Sequence, residues 1–165
     1  MQRYVELARE LGMADAVLLT PAQVHFDPRA ILKCRWGCED YHRPNPKCGE
    51  RGTSLEERRA MLERYGQILL VHAHDAHRLS RAVLEIERQA FLAGLYFAFA
   101  VRYCRYCPTC AVDQGQACAF PQKVRPCDQA FGLDMYRTAR AAGLPCQVLT
   151  SPDQEQNRYG LVLLD

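Results

Sequence analysis

Apolar residues recur at helical or strand spacing along most of the chain, which predicts a series of short helices and strands. Residues 2–11 place apolar side chains on one helical face, and Asp15–Thr20 is expected to form a strand that ends before Pro21. The other predicted elements are a helix from Thr53 or Ser54 to Tyr65, a strand over 68–73, a helix from Asp75 to Gly94, a strand over 95–101, a helix over 130–142, and strands over 147–150 and 159–164.

Two segments interrupt this pattern. Periodicity fades between about residues 24 and 52, where prolines and glycines are frequent, and again after the strand over 95–101. We expect loops at about 30–52 and 102–127, and these loops hold eight of the nine cysteines. The order of elements favours a single metal-binding α+β domain over residues 1–165. Its helices pack on one mixed β-sheet, and both cysteine loops lie at one end.

Composition places the chain among ordinary globular proteins, with 48% hydrophobic and 24% charged residues. A net charge of +2 without a run of lysines or arginines gives no indication of nucleic-acid binding. The amino-terminal residues are too often charged for a signal peptide, and no apolar run approaches the roughly 18–20 residues that cross a bilayer. We therefore expect a cytoplasmic protein without a membrane partner.

Nine cysteines are unusual in a chain of this kind. A disulfide framework is disfavoured because the number is odd and the sequence shows no export signal. In a reducing compartment, the same density of thiols indicates metal binding or redox chemistry.

The strongest signal is the run Cys104, Cys107 and Cys110, followed by Cys118. On a regular helix the first three thiols would spread through roughly 120° and would not converge, and Pro108 opposes a helix there. A loop around a cubic cluster brings such cysteines to three corners, as in bacterial ferredoxins. A zinc knuckle uses pairs of cysteines two residues apart, so the third thiol favours a [4Fe–4S] cluster over zinc.

A second, looser group consists of Cys34, Cys38 and Cys48. Alone it is a moderate signal for a three-thiolate site, and its presence beside the other run strengthens it. In ferredoxins with two clusters, a remote cysteine of one run binds the other cluster. Cys118 or Cys127 can complete either group, so spacing alone leaves open one cluster or two and an open or closed iron site.

Other residues are weaker ligand candidates. His42 lies within the first cysteine loop, whereas the three histidines His72, His74 and His77 fall on a strand and a helix start and need not converge. Cys146 follows a proline and precedes an apolar segment, which is typical of a buried structural thiol.

The cysteine pattern resembles that of a bacterial and archaeal cysteine-rich family of predicted metal-binding proteins. The matching pieces span roughly residues 15–150; they are Lys33-Cys34-Arg35-Trp36-Gly37-Cys38 with Tyr41 and Cys48, the run Cys104, Cys107, Cys110 and Cys118, and the segment from Arg125-Pro126-Cys127 through Gly132-Leu133-Asp134-Met135 to Gly143. The resemblance implies metal binding by seven core cysteines and no settled reaction. The chain departs from it at Gly49-Glu50, where relatives have two prolines, and at Cys127, where they have serine.

Two functions from different classes fit these residues. The first is an electron-transfer or other cluster-based redox protein with one or two [4Fe–4S] clusters and a redox partner protein. A separate iron-based possibility is an enzyme or metal-handling protein in which a cluster bound only by Cys34, Cys38 and Cys48 leaves one iron open as a Lewis acid or sulfur acceptor. The alternative is a zinc-binding structural or interaction module. The sequence names no substrate, so whether the chain is an enzyme stays open.

Overall fold

A computed structural model describes residues 1–43, 45–48 and 52–165. The described helices are α1 (Gln2–Glu10), α2 (Arg29–Gly37), α3 (Leu55–Glu63), α4 (Ala76–Leu92), α5 (Asp128–Phe131) and α6 (Met135–Ala141). The described strands are β1 (Asp15–Leu19), β2 (Gln67–Ala73), β3 (Phe99–Val101) and β4 (Arg158–Leu164).

The four strands form one sheet in the order β1-β2-β4-β3. The α+β class is confirmed, although every described strand pair is antiparallel where we expected a mixed sheet. The register pairs Asp15 with His72 and Ala73 with Arg158. The start of β1, the end of β2, the start of β4 and the end of β3 therefore share one end of the sheet.

Helices cover both faces of this sheet. On one face α1 and α4 pack against alternate residues of β2, among them Leu69 and Val71. On the other face α3 and α6 pack against the intervening residues, Ile68 and Leu70. Because successive strand residues point to opposite faces, β2 and β4 are buried on both sides and consist almost entirely of apolar residues.

The predicted starts of two helices are confirmed. The Ser54 hydroxyl accepts a hydrogen bond from the Glu57 backbone N–H at 3.1 Å, and the Glu57 carboxylate accepts one from the Ser54 N–H. Asp75 caps α4 by accepting from the Arg78 backbone N–H at 2.7 Å. Each cap satisfies backbone donors that the first helical turn leaves free.

Three sequence-based expectations were wrong. The first predicted loop contains the helix α2, whose one buried residue, Cys34, gives no apolar periodicity to detect. The predicted helix over 130–142 is two helices, because Gly132 adopts φ +90° and ends α5. The predicted strand over 147–150 is irregular, with Val148 87% exposed. The strand over 95–101 is confirmed only over its last three residues.

In the described part of the chain, no helix combines the length and apolar character needed to cross a membrane.

Candidate metal centre

Helix α2 brings the first two cysteines of the amino-terminal group close together. Cys34 lies in the last turns of α2 and Cys38 directly follows the helix, and the two thiols are close enough to act on each other electrostatically. Cys34 is only 4% exposed. Burial raises the pKa of the Cys34 thiol, and the neighbouring Cys38 raises it further.

Cys127 joins these residues from a distant part of the chain. It is the residue that precedes α5, and α5 packs against α2. Its backbone N–H donates to the Lys47 carbonyl at 3.5 Å, next to Cys48. Its pKa is raised by burial above all, with Asp128 and Cys34 adding to the effect. Cys127 therefore lies with the amino-terminal cysteines.

Cys48 completes this assembly, which we call the first thiol group: Cys34, Cys38, Cys48 and Cys127. The Cys48 thiol donates to the Asp40 carbonyl at 3.7 Å. Burial raises its pKa to about 11; Lys47 opposes the rise, and Cys34 and Cys38 add to it. The four thiols thus share one electrostatic environment, in which burial favours the protonated form of Cys34, Cys48 and Cys127.

The second thiol group consists of Cys104, Cys107, Cys110 and Cys118. Burial raises the pKa of Cys107, and each of the other three thiols raises it further, so all four are electrostatic neighbours. This loop is attached to the start of α4 through Ser80, whose hydroxyl donates to the Tyr103 carbonyl at 3.2 Å and accepts from the Arg105 N–H at 3.0 Å.

A buried polar network joins the two cysteine loops. Lys47 is 4% exposed and forms an ion pair with Asp40, with Nζ 3.0 Å from Oδ2. The Tyr103 hydroxyl donates to the same carboxylate at 2.7 Å and accepts from Arg105 at 2.8 Å. Burial opposes ionisation of Asp40, but the hydrogen bonds from Tyr103 and Lys47 outweigh it and hold its pKa below the usual value. The first loop is thereby fixed against the second.

Arg102 lies between the two thiol groups. Its backbone N–H donates to the Pro126 carbonyl at 2.9 Å, and both Cys104 and Cys127 act on its guanidinium electrostatically. Burial lowers its pKa to about 10, and Asp128 opposes this shift. A buried cation close to one cysteine of each group fits the bound state of a metal centre, because thiolate-bound metal sites carry negative charge.

Among the described residues, no three histidine, cysteine, aspartate or glutamate side chains are arranged to hold a single metal ion. The rings of His72 and His74 are 4.9 Å apart, but the His72 Nε2 already contacts the Asn157 side-chain oxygen at 2.9 Å. Cys146 is half-buried, so the expectation of a buried structural thiol was wrong.

The sequence model of one protein family, described as "Predicted metal-binding protein (DUF2284)", matches residues 17–164. The chain belongs to this family. The membership agrees with the resemblance that the cysteine pattern indicated, and the match reaches beyond it to the end of β4. No curated protein and no solved structure matches the chain.

The DUF2284 family is described as metal-binding, and this description does not specify the metal. The seven cysteines that the resemblance gives as common to relatives are divided between the two thiol groups. Cys127, which the resemblance gives as serine in most relatives, lies beside Cys34. It is therefore placed as a fourth thiol of the first group.

Removal of the metal from this DUF2284 chain is expected to expose the second cysteine loop to trypsin. Val112 is the only buried apolar side chain between residues 103 and 126, all of which the structure describes, so apolar packing contributes little order there. We expect rapid cleavage after Arg105 and Lys123 in chelator-treated protein, whereas Arg78 and Arg81 in α4 stay protected. Mass spectrometry of timed digests measures this, and equal protection with and without metal would refute it.

Proposed function

We propose that this protein is an iron–sulfur protein that holds two [4Fe–4S] clusters and passes electrons to or from a redox partner protein. The observation that carries the proposal is the division of eight cysteines into two groups of four electrostatic neighbours. Four thiolates are what one such cluster requires. We assign Cys34, Cys38, Cys48 and Cys127 to one cluster and Cys104, Cys107, Cys110 and Cys118 to the other.

The charges around the two groups support this assignment. A cluster with four thiolate ligands is an anion, and burying an anion is favourable only beside compensating charge. Lys47, whose Nζ lies 4.1 Å from the centre of the Tyr103 ring, sits next to Cys48, and Arg102 is 5% exposed between the groups. Arg102 is the buried cation on which one assigned cysteine of each group acts, whereas the charge of Lys47 is already paired with Asp40.

The raised pKa values of the thiols give the assignment a consequence for pH. Because Cys34, Cys48, Cys107 and Cys127 all have raised pKa values, the metal must displace protons from them when it binds. Lower pH favours the protonated thiols and therefore weakens metal binding. The protein contributes to metal binding by positioning the cysteine side chains and by excluding water from the buried cysteines.

The contacts between the loops support a role in electron transfer. An iron–sulfur cluster supplies one-electron transfer, and its rate depends on short distances between redox centres. The chain keeps the two groups close through the Asp40–Lys47–Tyr103 network and through Arg102, which is bonded to the residue before Cys127. With four thiols in each group, neither cluster is left with an open iron.

Protein purified anaerobically is expected to be brown and to contain about eight iron and eight acid-labile sulfide ions per chain, because each [4Fe–4S] cluster supplies four of each. Iron and sulfide analysis, with EPR of the reduced protein, measures this. Stoichiometric zinc without sulfide in the same preparation would contradict the proposal and favour the zinc-binding structural module.

A further inference from the structure

A cavity of about 1000 Å³ opens beside the first thiol group, at the end of the sheet where β4 begins. Its walls come from α2, α5, α6 and the start of β4, and they include Cys38 and Cys127. Pockets for small molecules generally measure roughly 300–1,000 Å³, so the volume suits a metabolite.

Positive charge dominates the lining. The cationic residues that line the cavity are Arg29, Lys33, Arg102, Arg137, Arg140 and Arg158, and the acidic ones are Asp27, Asp128 and Asp134. The excess of three cations occurs in a chain whose whole net charge is +2. Charge is therefore concentrated at this cavity and not spread over the surface.

The three acidic residues are already engaged. Asp27 forms hydrogen bonds and an ion pair with Arg29 at 2.5–3.0 Å. Asp134 caps α6 by accepting from the Arg137 backbone N–H at 2.9 Å. Asp128 accepts from the Cys127 thiol at 3.6 Å. Within the described residues, Arg102, Arg137 and Arg140 form no ion pair, although Asp128 acts on Arg102 electrostatically.

Arg102 is a buried cation of the lining whose hydrogen-bonding capacity is only partly used. It is 5% exposed, and its Nε is buried without a hydrogen-bond acceptor among the described residues. Its Nη2 donates to the Ala76 carbonyl at 3.2 Å. Asp128 acts on the guanidinium electrostatically, but within the described chain no carboxylate forms an ion pair with it. Leaving a buried guanidinium in this state costs free energy, and an anion in the cavity would recover part of it.

We propose that the cavity binds a small molecule carrying at least two anionic oxygen groups, carboxylate or phosphate, beside the first thiol group. Arg137 and Arg140 on α6 and Arg102 in the inner wall attract and orient the anionic groups, because guanidinium forks match both carboxylate and phosphate. Leu133, Met135 and Tyr159 provide apolar surface for the carbon skeleton. The proposal names no particular metal, although Arg102 also faces Cys104 and Cys127 of the two thiol groups.

Calorimetry at low ionic strength tests this with two probes, inorganic pyrophosphate and citrate, on the protein as purified anaerobically. We expect at least one probe to bind, and R137Q/R140Q together to weaken its binding at least about tenfold, since two charge-assisted contacts are lost. Preference for pyrophosphate indicates a phosphorylated ligand, and preference for citrate a polycarboxylate.

The matched control is R9Q/R64Q. Arg9 and Arg140 are both exposed arginines in the last turn of a helix, and Arg64 is an exposed arginine directly after α3. Neither control residue lines the cavity. The control removes the same total charge, so we expect its affinity to stay within about twofold of the parent if the site is specific.

Absence of heat with both probes, or equal weakening in both double variants, would overturn the proposal. Both double variants change exposed arginines, so folding is expected to persist, and circular dichroism checks it. Iron and sulfide are measured on the same samples. Binding without iron and sulfide leaves the cavity proposal standing and refutes the iron–sulfur function, whereas two clusters without binding do the reverse.

Discussion

Replacing Cys107 by serine is expected to remove about half of the iron and sulfide and to leave the other half bound. Cys107 is the thiol on which Cys104, Cys110 and Cys118 all act, so its loss breaks the second thiol group. The first thiol group is built from α2, the segment around Cys48 and the start of α5, and it keeps its four cysteines. Iron and sulfide analysis of anaerobically purified protein measures the outcome.

The control for this variant is Cys146→Ser. Cys146 is half-buried, precedes β4 and is assigned to neither group, so this variant is expected to keep all of its iron. Loss of all iron from Cys107→Ser, with full retention in the control, would show that the two groups form one site. Full retention in both variants would remove Cys107 from the ligand set.

Replacing Lys47 by methionine is expected to destabilise the protein by about 3–5 kcal/mol, because it leaves the carboxylate of Asp40 buried without its ion-pair partner. Asp40 and Lys47 are 7% and 4% exposed, and Nζ lies 3.0 Å from Oδ2. The hydrogen bond from Tyr103 remains and compensates only part of the charge. Urea unfolding under anaerobic conditions, followed by circular dichroism, measures the change.

The double variant Asp40→Asn with Lys47→Met separates the ion pair from the packing. Removing both charges leaves no unpaired ion, so most of the lost stability is expected to return. Lys123→Met, a lysine of the second loop outside this network, is the matched control and is expected to change stability by about 0.5 kcal/mol or less. A single Lys47→Met variant as stable as this control would contradict a buried ion pair between the loops.

The sheet and its long helix could be predicted from the sequence because their signals are local. β2 and β4 contain the apolar runs Ile68–Val71 and Leu161–Leu164, and Asp75 and Gly94 mark the ends of α4. Helix α2 has no such signal, since its neighbour α5 covers little beyond Cys34 and residues such as Leu32 remain exposed. The helix over 130–142 is divided at Gly132, where an added Cβ would lie 2.3 Å from Leu55 Cδ1, a contact between distant residues.

In the candidate site too, features with a local sequence signal could be predicted, and features that depend on long-range contacts could not. The spacing of Cys104, Cys107 and Cys110 is local, so the sequence alone indicated one thiol group. The assignment of Cys127 to the first thiol group and of Cys118 to the second depends on long-range packing. The contact of α5 with α2 and the bond from Cys127 to the Lys47 carbonyl bring together residues that no spacing rule relates. The cationic cavity could not be predicted from the sequence, because its arginines come from separate elements.

The order of the strands has a consequence for biosynthesis. β4 is the last strand along the chain, yet it lies inside the sheet and pairs with both β2 and β3. While the chain is being made, β1 and β2 can pair early, but β3 has no partner until β4 has left the ribosome. The loop with Cys104 begins directly after β3, so the strand that leads into it is fixed in the sheet only then, and its contacts with Ser80 and Asp40 are the ones that can form earlier. Delivery of metal to that loop by a cellular donor is therefore expected to follow translation of β4.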